Sequence, residues 1–144
     1  MASVQKSVLV AYSAAQMFEL VERIEDYPRF LPWCGGATIL ETTAEETVAR
    51  IDINYHGVRA HFTTANRAQP PKRIMITLRD GPFRQLDGTW RFRALDTTAS
   101  KVELELEYAF ATAVLERLIG PVFSHIAHTL VDAFVRRAET VYRT

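Results

Sequence analysis

The sequence predicts an α+β fold in which one curved antiparallel sheet holds a single long C-terminal helix. Three observations predict it. Residues 113–142 repeat apolar side chains at Leu115, Leu118, Ile119, Val122, Ile126, Leu130, Phe134, Ala138 and Val141, the helical steps of three and four. Segments between residues 37 and 110 alternate apolar and polar residues with a period of two, as half-buried strands do. A sheet with one oily face needs a cover, and the terminal helix, roughly 45 Å long at about 1.5 Å per residue, is the only large candidate.

In chain order, Val4, Val8 and Val10 share one parity of an opening strand, with Lys6 as the odd member. Ser13-Ala14-Ala15-Gln16 has the form of a capping box. Behind it Met17, Leu20, Val21 and Ile24 give one apolar face, so a helix is expected from Ala14 to about Glu25. Pro28 and Pro32 limit the next stretch to a single turn and a loop, on which Cys34 falls. That loop carries Tyr27, Phe30, Leu31 and Trp33, which must fold back onto something.

Ile51, Ile53 and Tyr55 then lead to a turn at His56-Gly57, and Val58, Ala60, Phe62 and Thr64 lead away from it. Ile74, Ile76 and Leu78 precede a second turn at Asp80-Gly81-Pro82. Leu86, Trp90 and Phe92 follow, then Val102, Leu104, Leu106, Tyr108 and Phe110. Arg91 and Arg93 are placed to meet the glutamates of the last strand across the wet face. Gly120-Pro121 interrupts the long helix, and Pro121 either kinks it or opens its main segment.

The 144 residues form one domain, 1–144, with a formal net charge of zero, which gives no global attraction to DNA or to anionic lipid. One cysteine, Cys34, precludes an internal disulfide and suits a reducing compartment. No stretch reads as a signal peptide or approaches the roughly 20 apolar residues of a membrane span. The expected location is the cytoplasm, with peripheral contact to the inner membrane left open.

The parity assignment also tests for catalysis. No Asp, Glu, His or Lys falls on the dry face of the predicted strands from Ile51 to Phe110, so a shielded acid–base pair is not expected there. Asp52, Asn54 and His56 share the wet face. His125 and His128 lack a carboxylate at ligand spacing, and no metal site is expected. The chain has no phosphate loop, GxSxG or HExxH motif and reads as a non-enzyme. Its aromatic residues either fill the core or line an apolar cavity. Arg59, Arg67, Lys72, Arg73, Arg79 and Arg84 make the middle of the chain basic. That surface either meets an anionic membrane or ribosomal RNA, or is merely solvated.

Three separated motifs carry a resemblance that spans the chain. They are Tyr27-Pro28-Arg29-Phe30-Leu31-Pro32-Trp33-Cys34, Asp80-Gly81-Pro82-Phe83 with Leu86, Gly88, Trp90 and Phe92, and Val131, Ala133, Phe134, Arg137, Ala138, Val141 and Tyr142. In these the sequence resembles the coenzyme-Q-binding START-domain family (polyketide cyclase/dehydrase-like), and within it a bacterial branch of ribosome-association toxins. The resemblance implies a helix-grip fold of the START / Bet v 1 type, with seven antiparallel strands wrapped around the C-terminal helix and two short helices after strand 1.

It also implies a cavity between sheet and helix for a small hydrophobic ligand, ubiquinone or a related isoprenoid lipid, in support of respiratory electron transfer. On that fold the expected lining is Tyr27, Phe30, Trp33, Tyr55, Phe62, Leu78, Phe83, Trp90, Phe92, Leu106, Tyr108, Val122, Phe123, Ile126 and Leu130. The alternative implied function is binding to the large ribosomal subunit, which blocks subunit association and inhibits translation.

Overall fold

The computed structural model describes residues 2–142. Seven strands, β1 (Ala2–Val10), β2 (Cys34–Thr42), β3 (Thr47–Tyr55), β4 (Val58–Gln69), β5 (Arg73–Asp80), β6 (Phe83–Asp96) and β7 (Ala99–Phe110), form one sheet. Its order is β1-β7-β6-β5-β4-β3-β2, antiparallel throughout. Strands β2 to β7 run as a meander, and β1 returns to the far side of β7. The sheet wraps the helix α2 (Ala113–Val141), as the sequence leads one to expect. The turns follow from local chemistry. His56 and Gly57 both have positive φ (50° and 80°), the pairing that matches the twist of a two-residue hairpin. At Gly81 (φ 146°) a side chain would meet the Cβ of Phe62 at 2.7 Å, so only glycine fits that turn.

Helix α1 (Ala14–Glu22) starts on the expected capping box, Ser13 Oγ accepting from the Gln16 amide and the Gln16 side chain accepting from the Ser13 amide. It ends three residues before the expected Glu25. The chain tightens into a 3-10 helix, Ile24–Arg29, that takes Pro28 inside it. Met17, Phe18, Leu20 and Val21 are buried, and Phe18 meets the ring of Phe92 edge-on at 5.6 Å. Cys34 is not on a loop: it opens β2 and is buried.

Helix α2 is one helix from Thr112, whose hydroxyl caps the Leu115 amide, to Val141. Pro121 lies inside it and does not start a separate segment. The helix buries Ile119, Phe123, Ile126, Ala127, Val131, Phe134 and Ala138. Two members of the expected stripe lie off it, Leu118 (63 % exposed) and Val141 (39 %), because the stripe drifts around the helix at its ends. Contrary to expectation from the sequence, α2 is long and apolar enough to cross a membrane by those two criteria alone. The stripe that packs on the sheet buries 33% of that apolar window.

Phe134 is the central packing element. It is 1 % exposed, and its ring lies 5.3 Å from Trp90, 5.4 Å from Tyr27 and 5.2 Å from Phe30, all edge to face. Phe134→Ala is expected to lower stability by about 3–5 kcal/mol and Leu118→Ala by less than about 0.5 kcal/mol in urea unfolding. Equal effects would contradict the assigned face of α2.

Candidate functional site

The space between sheet and α2 narrows to a cavity of about 90 Å³. Eight residues expected from the sequence line it: Tyr27, Trp33, Phe62, Trp90, Leu106, Phe123, Ile126 and Leu130. Two aromatic groups bound it. Around Phe134 stand Trp90 and Tyr27, and around Phe123 stand Phe62 at 6.1 Å, Phe83 at 4.8 Å and Tyr108 at 4.7 Å. Leu106 folds flat over Gly88, its Cδ1 only 3.0 Å from where a Cβ on that glycine would stand.

Seven expected residues lie elsewhere. Phe30 and Tyr55 line an open surface groove, and Tyr108 contributes to a depression beside Gly120 and Ser124. Phe83 is core behind the Phe123 group, and Phe92 is held under α1 by Phe18. Leu78 and Val122 are half-buried packing residues beside the cavity. Parity and helix phase identify which face a residue occupies but not how far along the strand or helix the cavity reaches.

The sequence reading did not include Ile24, Ile51, Thr64, Asn66, Ile76, Leu86, Ala127 and Phe134 among the lining residues. Most are predicted core residues. Asn66 is the informative omission: it continues the dry parity of Phe62 and Thr64, and the Thr64 hydroxyl donates to its Oδ1 at 2.9 Å. That pair is the polar spot in an otherwise apolar lining. No carboxylate, imidazole or ammonium group lines the cavity. The Tyr27 hydroxyl donates to the Val21 carbonyl at 2.5 Å, and burial, with a smaller contribution from Cys34, pushes its pKa well up. Burial likewise pushes the Cys34 thiol up, and Asp52 adds to this. Proton transfer at neutral pH has no obvious agent here.

Outside, the basic middle of the chain is neutralised only in part, at Arg67 and Arg79. Glu46 lies 2.7 Å from Arg79 and 3.6 Å from Arg67, and Glu45 lies 3.8 Å from Arg67. Arg91 pairs with Glu105 at 3.2 Å and Arg93 with Glu103 at 2.5 Å, the cross-strand contacts expected from the alternation. Arg73 hydrogen-bonds Gln69, while Arg59, Lys72 and Arg84 are exposed. Asp52 pairs with Arg50 at 2.9 Å on the wet face. His128 contacts the Ser124 carbonyl through Nδ1 at 2.7 Å, and His125 stacks on Tyr55.

Comparison with known proteins agrees with this geometry. Residues 10–135 match the family model described as polyketide cyclase / dehydrase and lipid transport. The chain is 43% identical over 142 residues to a Vibrio cholerae protein named ribosome association toxin RatA, covering 99% of each. It is 23% identical over 141 residues to a Xenopus laevis mitochondrial coenzyme Q-binding protein COQ10 homolog B, covering 95% of this chain and 58% of that one. The Zhui aromatase/cyclase from Streptomyces sp. R1128 superposes with a TM-score of 0.82 at 20% identity, covering 99% of this chain and 96% of that one. That likeness establishes the fold.

The buried Tyr27 hydroxyl gives the site a pH signature. An unfolded tyrosine ionises near pH 10 while the folded one stays protonated, so above that pH the native state holds more protons. Stability should fall by up to about 1.4 kcal/mol per pH unit from this residue alone. In urea unfolding between pH 9 and 11, Tyr27→Phe should show a shallower decline than the parent chain. Parallel declines would mean that the hydroxyl is not shielded.

Proposed function

Because this chain belongs to the polyketide cyclase / dehydrase and lipid transport family, in the branch of its ribosome association toxins, we propose that it acts by associating with the ribosome. The observation that carries this reading is end-to-end similarity to the Vibrio cholerae toxin. Two features of the site are consistent with it. Among the described residues the cavity holds no acid–base constellation, which favours binding over turnover. Its volume of about 90 Å³ is also several-fold below the roughly 300–1,000 Å³ of a typical ligand pocket. In this reading the protein binds the large subunit in the cytoplasm and blocks its joining to the small one.

Sucrose-gradient sedimentation of the purified protein with ribosomes tests this. The protein should travel with large subunits and reduce the joined particle. A protein that stays at the top of the gradient under all magnesium and salt conditions overturns the reading.

A second reading is favoured by the apolar cavity with its Thr64–Asn66 polar spot: it takes a hydrophobic ligand, a polyisoprenoid quinone or related lipid. Burying about 400 Å² of tail at about 25 cal/mol per Å² supplies roughly 10 kcal/mol before ordering costs. A cavity of about 90 Å³ does not hold such a tail, so uptake requires its lining to rearrange. Ubiquinone presented in detergent should then bind the parent chain in stoichiometric amount by organic extraction and mass spectrometry. Leu106→Trp, which fills the cavity, should abolish uptake while keeping a cooperative melt. No uptake by the parent chain removes this reading.

A further inference from the structure

We propose that the open groove between the 3-10 helix and the C-terminal half of α2 docks single-stranded RNA. The choice of RNA partner rests on the ribosome reading. The groove encloses about 530 Å³ and runs along Arg29, Phe30, Pro32 and Tyr55 on one side. On the other it follows α2 from His125 to Thr140, about 22 Å at 1.5 Å per residue. Its floor and walls combine the two chemistries that unpaired nucleotides need, cations for phosphates and flat faces for bases.

The cations are three arginines, Arg29, Arg136 and Arg137, against one carboxylate, Asp132. Arg29 is 72 % exposed at its side chain, with Asp26 3.7 Å away. Among the described residues Arg136 and Arg137 have no carboxylate within 4.0 Å. This separates them from Arg67, Arg79, Arg91 and Arg93 on the sheet, each of which faces a glutamate; Arg59, Lys72, Arg73 and Arg84 are also without one among the described residues, but they do not line this groove. The Arg137 guanidinium lies 5.0 Å over the Phe30 ring, which orders it without neutralising it.

The flat face is the Tyr55–His125 pair, parallel to within 8° at 5.6 Å, and His125 is exposed. A base can extend that stack. Thr129 and Thr140 already donate their hydroxyl protons to the carbonyls of His125 and Arg136, which leaves their oxygens as acceptors toward a ribose 2′-hydroxyl. A duplex would leave the stacking face unused, so the unpaired strand is the better fit.

The test uses two probes, a labelled oligouridylate and purified large ribosomal subunits. Arg29→Glu with Arg136→Glu should weaken binding to both at least tenfold. It should also reduce the log–log salt slope on the oligonucleotide by about 1.4, at about 0.7 per phosphate contact. Tyr55→Leu should weaken oligonucleotide binding about fivefold or more through loss of stacking. Lys101→Glu with Arg117→Glu, outside the groove, should leave both unchanged, and circular dichroism melts check that every variant is folded.

An oligonucleotide that does not bind the parent chain, or binds the groove variants equally, overturns the inference whatever the ribosome result. Loss of subunit binding in the groove variants without any oligonucleotide binding also overturns it and assigns the contact to a ribosomal protein. Groove-dependent oligonucleotide binding without subunit binding supports the inference and removes the ribosome reading instead.

Discussion

The contact between Phe134 and Trp90 fixes the geometry on which the rest of the structure depends. A curved sheet with one apolar face gains little until that face is covered, and α2 is the element long enough to cover it. Seating Phe134 on Trp90 sets where along its length the helix crosses the sheet. The same ring receives the edges of Tyr27 and Phe30, so the segment after α1 is drawn onto the helix as well. The hydrogen bond from Tyr27 to the Val21 carbonyl ties that segment back to its own helix. One buried aromatic residue thereby organises the cavity, whose lining includes Phe134, Trp90 and Tyr27, and the outer groove, whose wall includes Phe30.

The outer surface divides by how its charges are compensated. Among the described residues the strand arginines Arg59, Arg73 and Arg84 have no carboxylate within 4.0 Å, whereas Arg67, Arg79, Arg91 and Arg93 each meet a glutamate, the last two at diagonal register positions, and each exposed pair contributes at most about 1 kcal/mol. Their cost as a binding surface is greater than their contribution to stability, because an incoming anion must compete with a carboxylate already in place. The arginines at the end of α2 have no such competitor among the described residues. A formal net charge of zero therefore conceals a local excess where α2 meets the 3-10 helix.

Much of the fold could be read in the sequence because the helical and strand periods are unusually clean. The capping box at Ser13, the hairpin at His56-Gly57 and the alternation from Val102 to Phe110 each have a local cause that tertiary packing did not override. The exceptions are informative. Pro28 limits its stretch to a single short 3-10 helix, and of the two roles open to Pro121 it does not start the main segment but lies inside α2, where packing of the flanking residues outweighs a lost hydrogen bond. Asn66 lies on the dry parity, but a polar residue carries no hydrophobic signal that would assign it to the cavity. The groove could not be seen at all, since it joins residues 29–33, 55 and 125–140, which no local period relates.

The cavity and the groove share one helix, and that limits how either can work. Leu130 and Phe134 face the cavity, while Thr129 and Ala133, one residue before each, line the groove around the same turns. One helix thus serves two surfaces at once. A substitution that displaces Leu130 or Phe134 on the inside also displaces Thr129 and Ala133 on the groove side, because the turns that carry them are held together by the helix's own backbone hydrogen bonds.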